Sequence, residues 1–292
     1  MAGDSGDSQG TVVRQILAVL GNITVITALL VYFGWQRSET QAHQLGIDAS
    51  ILGMSTQDYI LRSVGPVLML LLTVAIAGLV WMWADRQLLR HAAGREKLLR
   101  WVVRGLGFAW LVLPVVVRLA GQVQPWRRYA YVAYPLAIGA GILLTLYGAY
   151  LRRTVLDPAD DLPDNPPHEA LVRGFAAILI GVSLFWSASN YATVLGIKLA
   201  DEYATDVARG RAVKVVVYSL HQLHLTAPGV REEKLTGDAS YRYTGLLLLD
   251  HTGDRYFLIS EKWTPTHGVV VVLPDDDKLR LEFVRGAPSV TG

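Results

Sequence analysis

The stretch DRQLLRHAAGREKLLRWVVR, residues Asp85–Arg104, decides how this chain is read, because it concentrates fixed positive charge between two long apolar runs. Arg86, Arg90, Arg95, Lys97 and Arg100 outnumber Asp85 and Glu96. Short loops with such an excess stay on the cytoplasmic face of a membrane, so this one gives every other segment a side. Held against apolar spans, the same five basic side chains are expected to meet anionic lipid headgroups rather than nucleic acid.

Composition points the same way. Of 292 residues, 52% are hydrophobic and 18% charged, with a formal net charge of +2, which is too apolar and too weakly charged for an ordinary soluble domain of this length. Before about residue 190 the apolar residues fall in runs of roughly 20, the length that crosses a hydrocarbon core, and the chain beyond reads as soluble. The chain has no cysteine, which removes disulfides, thiol catalysis and Cys-ligated metal sites together.

Working outward from the basic loop, the expected spans are about 12–35, 65–83, 101–119, 129–151 and 170–189, after a disordered tail over 1–11. The first run is not a signal peptide: its flank is acidic and Tyr32-Phe33-Gly34-Trp35 offers no small-residue cleavage site. Arg104 and Arg118 lie fourteen residues apart in the third span, which puts both on one face of a straight helix, where they snorkel to the interfaces or hold an anion. Ala137, Gly141, Thr145 and Gly148 form a ridge of small residues in the fourth, suited to close packing within the bundle or to a dimer seam. Placing the N-terminus inside keeps the larger basic set, with Arg152, Arg153 and Arg173, in the cytoplasm. The expectation is an integral plasma-membrane protein whose C-terminal domain is extracytoplasmic.

Two polar regions then share the outer side. In the loop 36–63, Gly46 can end a short helix begun near Ser38, Asp48 can cap a second that stops at Gly53, and Ser55 with Asp58 can cap a third. Helices so short need a tertiary surface. Ile47, Ile51, Leu52, Met54, Tyr59 and Ile60 are therefore expected to dock on the C-terminal domain, or otherwise to dip into the lipid interface. That domain, 191–292, opens with a helix stopping at Gly210 and continues as a small α+β, β-rich unit. Strands over 213–219, 241–250, 255–260, 268–273 and 279–284 include two hairpins, turning at His251-Thr252-Gly253-Asp254 and at Pro274-Asp275-Asp276-Asp277.

At Tyr32-Phe33-Gly34-Trp35, Leu45-Gly46-Ile47-Asp48, Ser55-Thr56-Gln57-Asp58-Tyr59 and Tyr243-Thr244-Gly245-Leu246 the chain resembles a group of bacterial five-span membrane proteins to which no activity is assigned. The resemblance covers most of the length and implies no catalytic residues.

The residues themselves favour a protein that is not an enzyme and needs no cofactor. His221 and His224 are three apart, which converges on a metal only in a helix, and the β-type run before them argues for a strand or turn. Asp275–Asp277 lacks the spaced distal carboxylate of a calcium loop. Phosphate loops, serine elbows and zinc-protease motifs are absent from the sequence. The spans carry no Asp, Glu or Lys near their centres, which weighs against carboxylate-based ion coupling. The expected role is display of an outer domain that binds, senses or organises a protein partner. The alternatives are a channel or transporter capped by that domain, and an extracytoplasmic hydrolase using His221, His224 or the aspartates.

Overall fold

The computed structural model describes residues 5–92, 96–153, 166–236, 239–264 and 267–284, with side chains described over 24–88, 90, 100–153, 170–236, 239–264 and 267–284. Six helices precede a β-sheet: α1 (Ser5–Gln44), α2 (Thr56–Ala92), α3 (Glu96–Gly107), α4 (Ala109–Ala120), α5 (Arg127–Leu151) and α6 (Pro166–Ala208). The strands are β1 (Lys214–Ser219), β2 (Arg231–Lys234), β3 (Tyr241–Thr252), β4 (Arg255–Ser260), β5 (Val270–Pro274) and β6 (Leu279–Val284). The chain divides into two compact units, residues 64–194 and residues 1–63 with 195–292. Among the described residues three helices can by length and composition cross a membrane, or four if the bent pair α3–α4 counts as one span. The first half of the expected first span, residues 12–23, lies in the part of α1 whose side chains are outside the described residues.

In the helical unit the small-residue ridge of α5 packs against α3 and α4. A Cβ on Gly141 would stand 2.6 Å from the Cα of Trp110, and one on Gly148 would stand 2.9 Å from the Cβ of Leu106. Thr145 donates to the carbonyl of Leu106 at 3.1 Å. Further along, Gly121 meets Ala130, so the α3–α4 pair runs antiparallel to α5. The third span is not the straight helix expected from sequence. It breaks at Phe108 with a bend of 65°, just past Gly105 and Gly107, two residues that weaken a helix by roughly 1 kcal/mol each relative to alanine. Arg104 and Arg118 consequently belong to differently directed helices and share no face.

Helix α6 is antiparallel to α5 and joined to it by a row of hydrogen bonds. Pro135 has no N–H, which leaves the carbonyl of Tyr131 without its helical donor. Asn190 supplies one, donating through Nδ2 at 2.8 Å. Ser187 donates to the carbonyl of Val132 at 2.9 Å. The Ser183 hydroxyl inserts into the ladder itself, accepting from the N–H of Gly139 at 3.0 Å and donating to the carbonyl of Pro135. Proline inside a helix is tolerated through such replacements.

Helix boundaries follow local chemistry. Gly210, at φ 66°, closes α6 in a Schellman motif, with its N–H bonded to the carbonyl of Val207 and that of Arg211 to Asp206. Two other boundaries differ from expectation. The chain from Ser38 to Gln44 is the end of α1 rather than a separate short helix, and α2 runs unbroken from its Ser55 cap through Pro66 to Ala92. A continuous helix spends one nucleation cost where separate pieces would each need their own.

The sheet is antiparallel in the order β5-β4-β3-β1-β6, with β2 paired to the first half of β3. Alternation along the strands separates two cores. Leu247, Phe257 and Ile259 face one side. Val215, Val217, Leu246 and Leu258 face the other, where the segment after β1 covers them with Leu223, Leu225 and Ala227. Tyr256 on β4 and Phe283 on β6 lie three strand positions apart in pairing order, yet their rings come within 6.1 Å, so the sheet curls around this second core. β2 is the strand that sequence missed: Arg-Glu-Glu-Lys is exposed throughout and has no apolar period.

If Asn190 replaces the donor that Pro135 lacks, Asn190→Ala should lower stability by about 1 kcal/mol in detergent. Restoring the backbone N–H with Pro135→Ala should largely remove that cost, as measured by a double-mutant cycle of denaturant unfolding.

Candidate functional site

In the unit that holds the sheet, the α1–α2 connection and the end of α6 pack on one sheet face. Asp48 caps a 3-10 turn, Ala49–Leu52, by accepting from the N–H of Ser50, and Gly53 ends it at φ 58°. Ser55 and Asp58 then exchange side-chain to backbone hydrogen bonds at 3.3 and 2.8 Å as a capping box for α2. These bonds hold the Asp58 carboxyl below its ordinary range, the Ser55 N–H contributing most.

The turn is held by an apolar cluster. Ala42, Leu45, Ile47, Ala49 and Leu52 pack with Ala200 of α6 and with Leu247, Phe257, Ile259 and Trp263 of the sheet region. Backbone also meets backbone here. The β3–β4 hairpin turns through Gly253 and Asp254, both at positive φ as a two-residue hairpin requires, and a Cβ on Gly253 would stand 3.1 Å from the carbonyl oxygen of Gly53. On the helical side, a Cβ on Gly196 would stand 2.6 Å from the carbonyl oxygen of Arg37, so α1 and α6 approach to backbone contact.

Charged groups connect the same segments. Arg62 donates to Asp250 on β3 at 2.7 Å, with both side chains about three-quarters buried. The Arg62 carbonyl lies four residues before Pro66, which cannot donate to it; Arg37 of α1 does so instead, at 2.6 Å. Burial first, and then the charge of Arg62, lower the Arg37 pKa. A register shift between Leu248 and Asp250 interrupts the β3–β4 ladder, and the Leu248 carbonyl accepts from Tyr203 of α6 at 2.8 Å. Burial, with Asp250 nearby, raises the Tyr203 phenol well above its ordinary range. Sequence reading did not single out Arg37 or Arg62. The available signal was Pro66, which marks an acceptor in need of a donor.

The residues singled out from sequence fall unevenly. Ile47 and Leu52 are buried in the cluster and Met54 packs against it, whereas Tyr59 and Ile60 are half-buried on α2 and are not members. Ile51 is 48% exposed. Its position follows from 3-10 geometry, in which residues three apart eclipse: Ala49 and Leu52 share the inner face, and Asp48 and Ile51 the outer. Arg86 and Arg90 are exposed on the last turns of α2 and Arg100 on the second turn of α3; Arg95 and the Lys97 side chain lie outside the described residues.

His221 and His224 are exposed in the irregular segment after β1. His251 stands 3.1 Å from Asp275 and stacks on Tyr256 at 4.3 Å, which ties the two hairpin turns together at the surface. Asp276 accepts from the N–H of Lys278 within its own turn. Among the described residues no group of three His, Asp or Glu side chains is placed to hold a metal ion. No protein-family model, curated protein or solved structure matches the chain.

Two outcomes follow from this geometry. Leu52→Ala should cost about 2–5 kcal/mol in denaturant unfolding, while Ile51→Ala, one residue away, should stay within about 0.5 kcal/mol of the parent. Asp58 has a depressed folded-state pKa, so its contribution is complete above the unfolded value of about 3.9 and is lost as pH falls through the lower folded value. Asp58→Asn should therefore destabilise the protein at neutral pH, with the gap to the parent narrowing below about pH 4 in pH-dependent melts.

Proposed function

We propose that the chain is an integral plasma-membrane protein of five spans, with a cytoplasmic N-terminus, that displays its sheet unit on the extracytoplasmic side to bind, sense or organise a protein partner. The observation that supports the membrane reading is the distribution of exposed apolar and aromatic side chains. Every residue from Leu71 to Val80 in α2 is exposed, and the run Leu-Leu-Thr-Val-Ala-Ile-Ala-Gly-Leu-Val suits hydrocarbon, not water. On α5 the exposed aromatics Tyr129 and Tyr131 stand at one end and Tyr150 at the other. At about 1.5 Å per residue, Tyr129 and Tyr150 are about 30 Å apart along the axis, the thickness of a hydrocarbon core. Rings at both interfaces are the usual aromatic girdles. Arg86, Arg90 and Arg100, with Arg95 and Lys97, then face anionic headgroups on the cytoplasmic side.

The five spans are α1, α2, the bent pair α3–α4, α5 and α6. Display is favoured over a conducting pathway because Ser183, Ser187 and Asn190, the polar groups that α6 directs at α5, spend their hydrogen bonds on α5 carbonyls. It is favoured over hydrolysis because the candidate histidines and aspartates sit exposed on turns.

Because the chain has no cysteine, single cysteines report topology directly. Cysteines at Ser50 and Asp276 should react with an impermeant thiol reagent in intact cells, and one at Ala93 should react only after permeabilisation. The reverse pattern would overturn the orientation. Purified protein in sealed liposomes should pass no ions or small solutes, and flux above that of empty liposomes would replace display with transport.

A further inference from the structure

Helix α3 differs in character from α4, to which Phe108 joins it. α4 reads Ala-Trp-Leu-Val-Leu-Pro-Val-Val-Val-Arg-Leu-Ala and is apolar almost all round, as a spanning helix is. α3 is two-faced. At about 100° per residue, Arg100 and Arg104 fall on one stripe, and Trp101, Val102, Val103 and Leu106 take the rest of the circumference. Protein covers only part of that apolar arc. A Cβ on Gly148 of α5 would stand 2.9 Å from Leu106 and 3.5 Å from the Val103 carbonyl oxygen, whereas Trp101 is 78% exposed. A basic stripe beside an apolar one that carries tryptophan, with little net hydrophobicity, marks a helix that lies in a membrane interface.

Depth supplies a second, independent observation. Gly121, just past α4, meets Ala130 of α5, and Leu106 of α3 meets Gly148. From Ala130 to Gly148 helix α5 advances about 27 Å at 1.5 Å per residue, close to the ~30 Å of a hydrocarbon core. The exposed ring of Tyr150 follows two residues later. α4 and the break at Phe108 therefore account for the whole crossing, and Leu106 already stands at the inner boundary. With α4 near the membrane normal, the bend of 65° lays α3 closer to the membrane plane than to the normal.

We infer, on the membrane reading proposed above, that α3 is an in-plane anchor at the cytoplasmic interface that binds anionic phospholipid. Trp101 enters the boundary between headgroups and acyl chains, and Arg100 and Arg104 meet headgroup phosphates. Lipid is the occupant because α3 is joined through one residue to a helix inside the bilayer. Its exposed side chains are held at interface depth by the chain itself.

The test uses the full chain in nanodiscs of phosphatidylcholine and phosphatidylglycerol, and the absence of cysteine leaves single spin labels without background. Power saturation with oxygen, which enters acyl chains, and with a nickel chelate, which stays in water, reports the depth of each label. Labels on Arg100→Cys and Arg104→Cys should favour the chelate and differ in depth by less than about 3 Å, and one on Trp101→Cys should favour oxygen. In a spanning segment the first two would differ by about 6 Å, with the label at 104 in hydrocarbon. That steady gradient, or a label at 101 shielded by protein from both reagents, would overturn the anchor. Labels on Ile76→Cys of α2 and Leu143→Cys of α5 test the membrane reading separately. Both should favour oxygen whatever α3 does, and if they favour the chelate the membrane placement falls and the anchor with it. Arg100→Gln combined with Arg104→Gln should also reduce, by at least about twofold, the parent's preference for spin-labelled phosphatidylglycerol over phosphatidylcholine. An unchanged preference would overturn the headgroup contact.

Discussion

A proline inside a helix leaves the carbonyl four residues earlier without a donor, and away from water that carbonyl must be satisfied by something else. Both units of this protein are arranged around that requirement. In the helical unit Asn190 answers Pro135 at the Tyr131 carbonyl, and Ser187 and Ser183 extend the contact along two further turns of α5. In the sheet-bearing unit Arg37 answers Pro66 at the Arg62 carbonyl. The second case reaches further, because the residue whose backbone is satisfied also presents its side chain to Asp250. One missing N–H thus links α1, the start of α2 and β3.

The sheet-bearing unit derives its cohesion from apolar packing, with the polar bonds fixing geometry. A four-residue 3-10 turn has negligible stability alone. It persists because Ala49 and Leu52 enter a cluster with Phe257, Ile259 and Trp263, whose burial contributes roughly 1.5–3 kcal/mol per large side chain. The Arg62–Asp250 pair, each side chain of which keeps about a quarter of its exposure, adds less, since partly solvated pairs are worth up to about 1 kcal/mol. The ends of α1 and α6 and the beginning of α2 are built into the packing of the sheet.

Much of this was legible in the chain. Asp48, Gly53, Ser55 and Asp58 announce their caps through local chemistry, and Gly210 announces the end of α6, because capping depends on residues within one turn. The hairpin at Gly253-Asp254 is equally local, since only a few residue types accept two consecutive positive φ angles. Long apolar helices followed by an antiparallel sheet could be read from composition and from the change of period along the chain. The inner face of the connection was read less well: Ile51 has the right chemistry but the wrong phase, because the turn is 3-10 and not α-helical.

What only the tertiary structure decided is where each long-range partner lies. Nothing in Phe108 itself marks a 65° break; the bend reflects two glycines and the demand that α3 and α4 both reach the small-residue ridge of α5. β2 is a strand because β3 offers it an edge, not because Arg-Glu-Glu-Lys prefers one. The pairing of Arg62 with Asp250 spans 188 residues, a separation over which no sequence period carries information. Sequence determined the caps, the turns and the apolar lengths, whose causes are local, and tertiary structure decided the partners, because satisfying a distant carbonyl or carboxylate depends on which segments fold against one another.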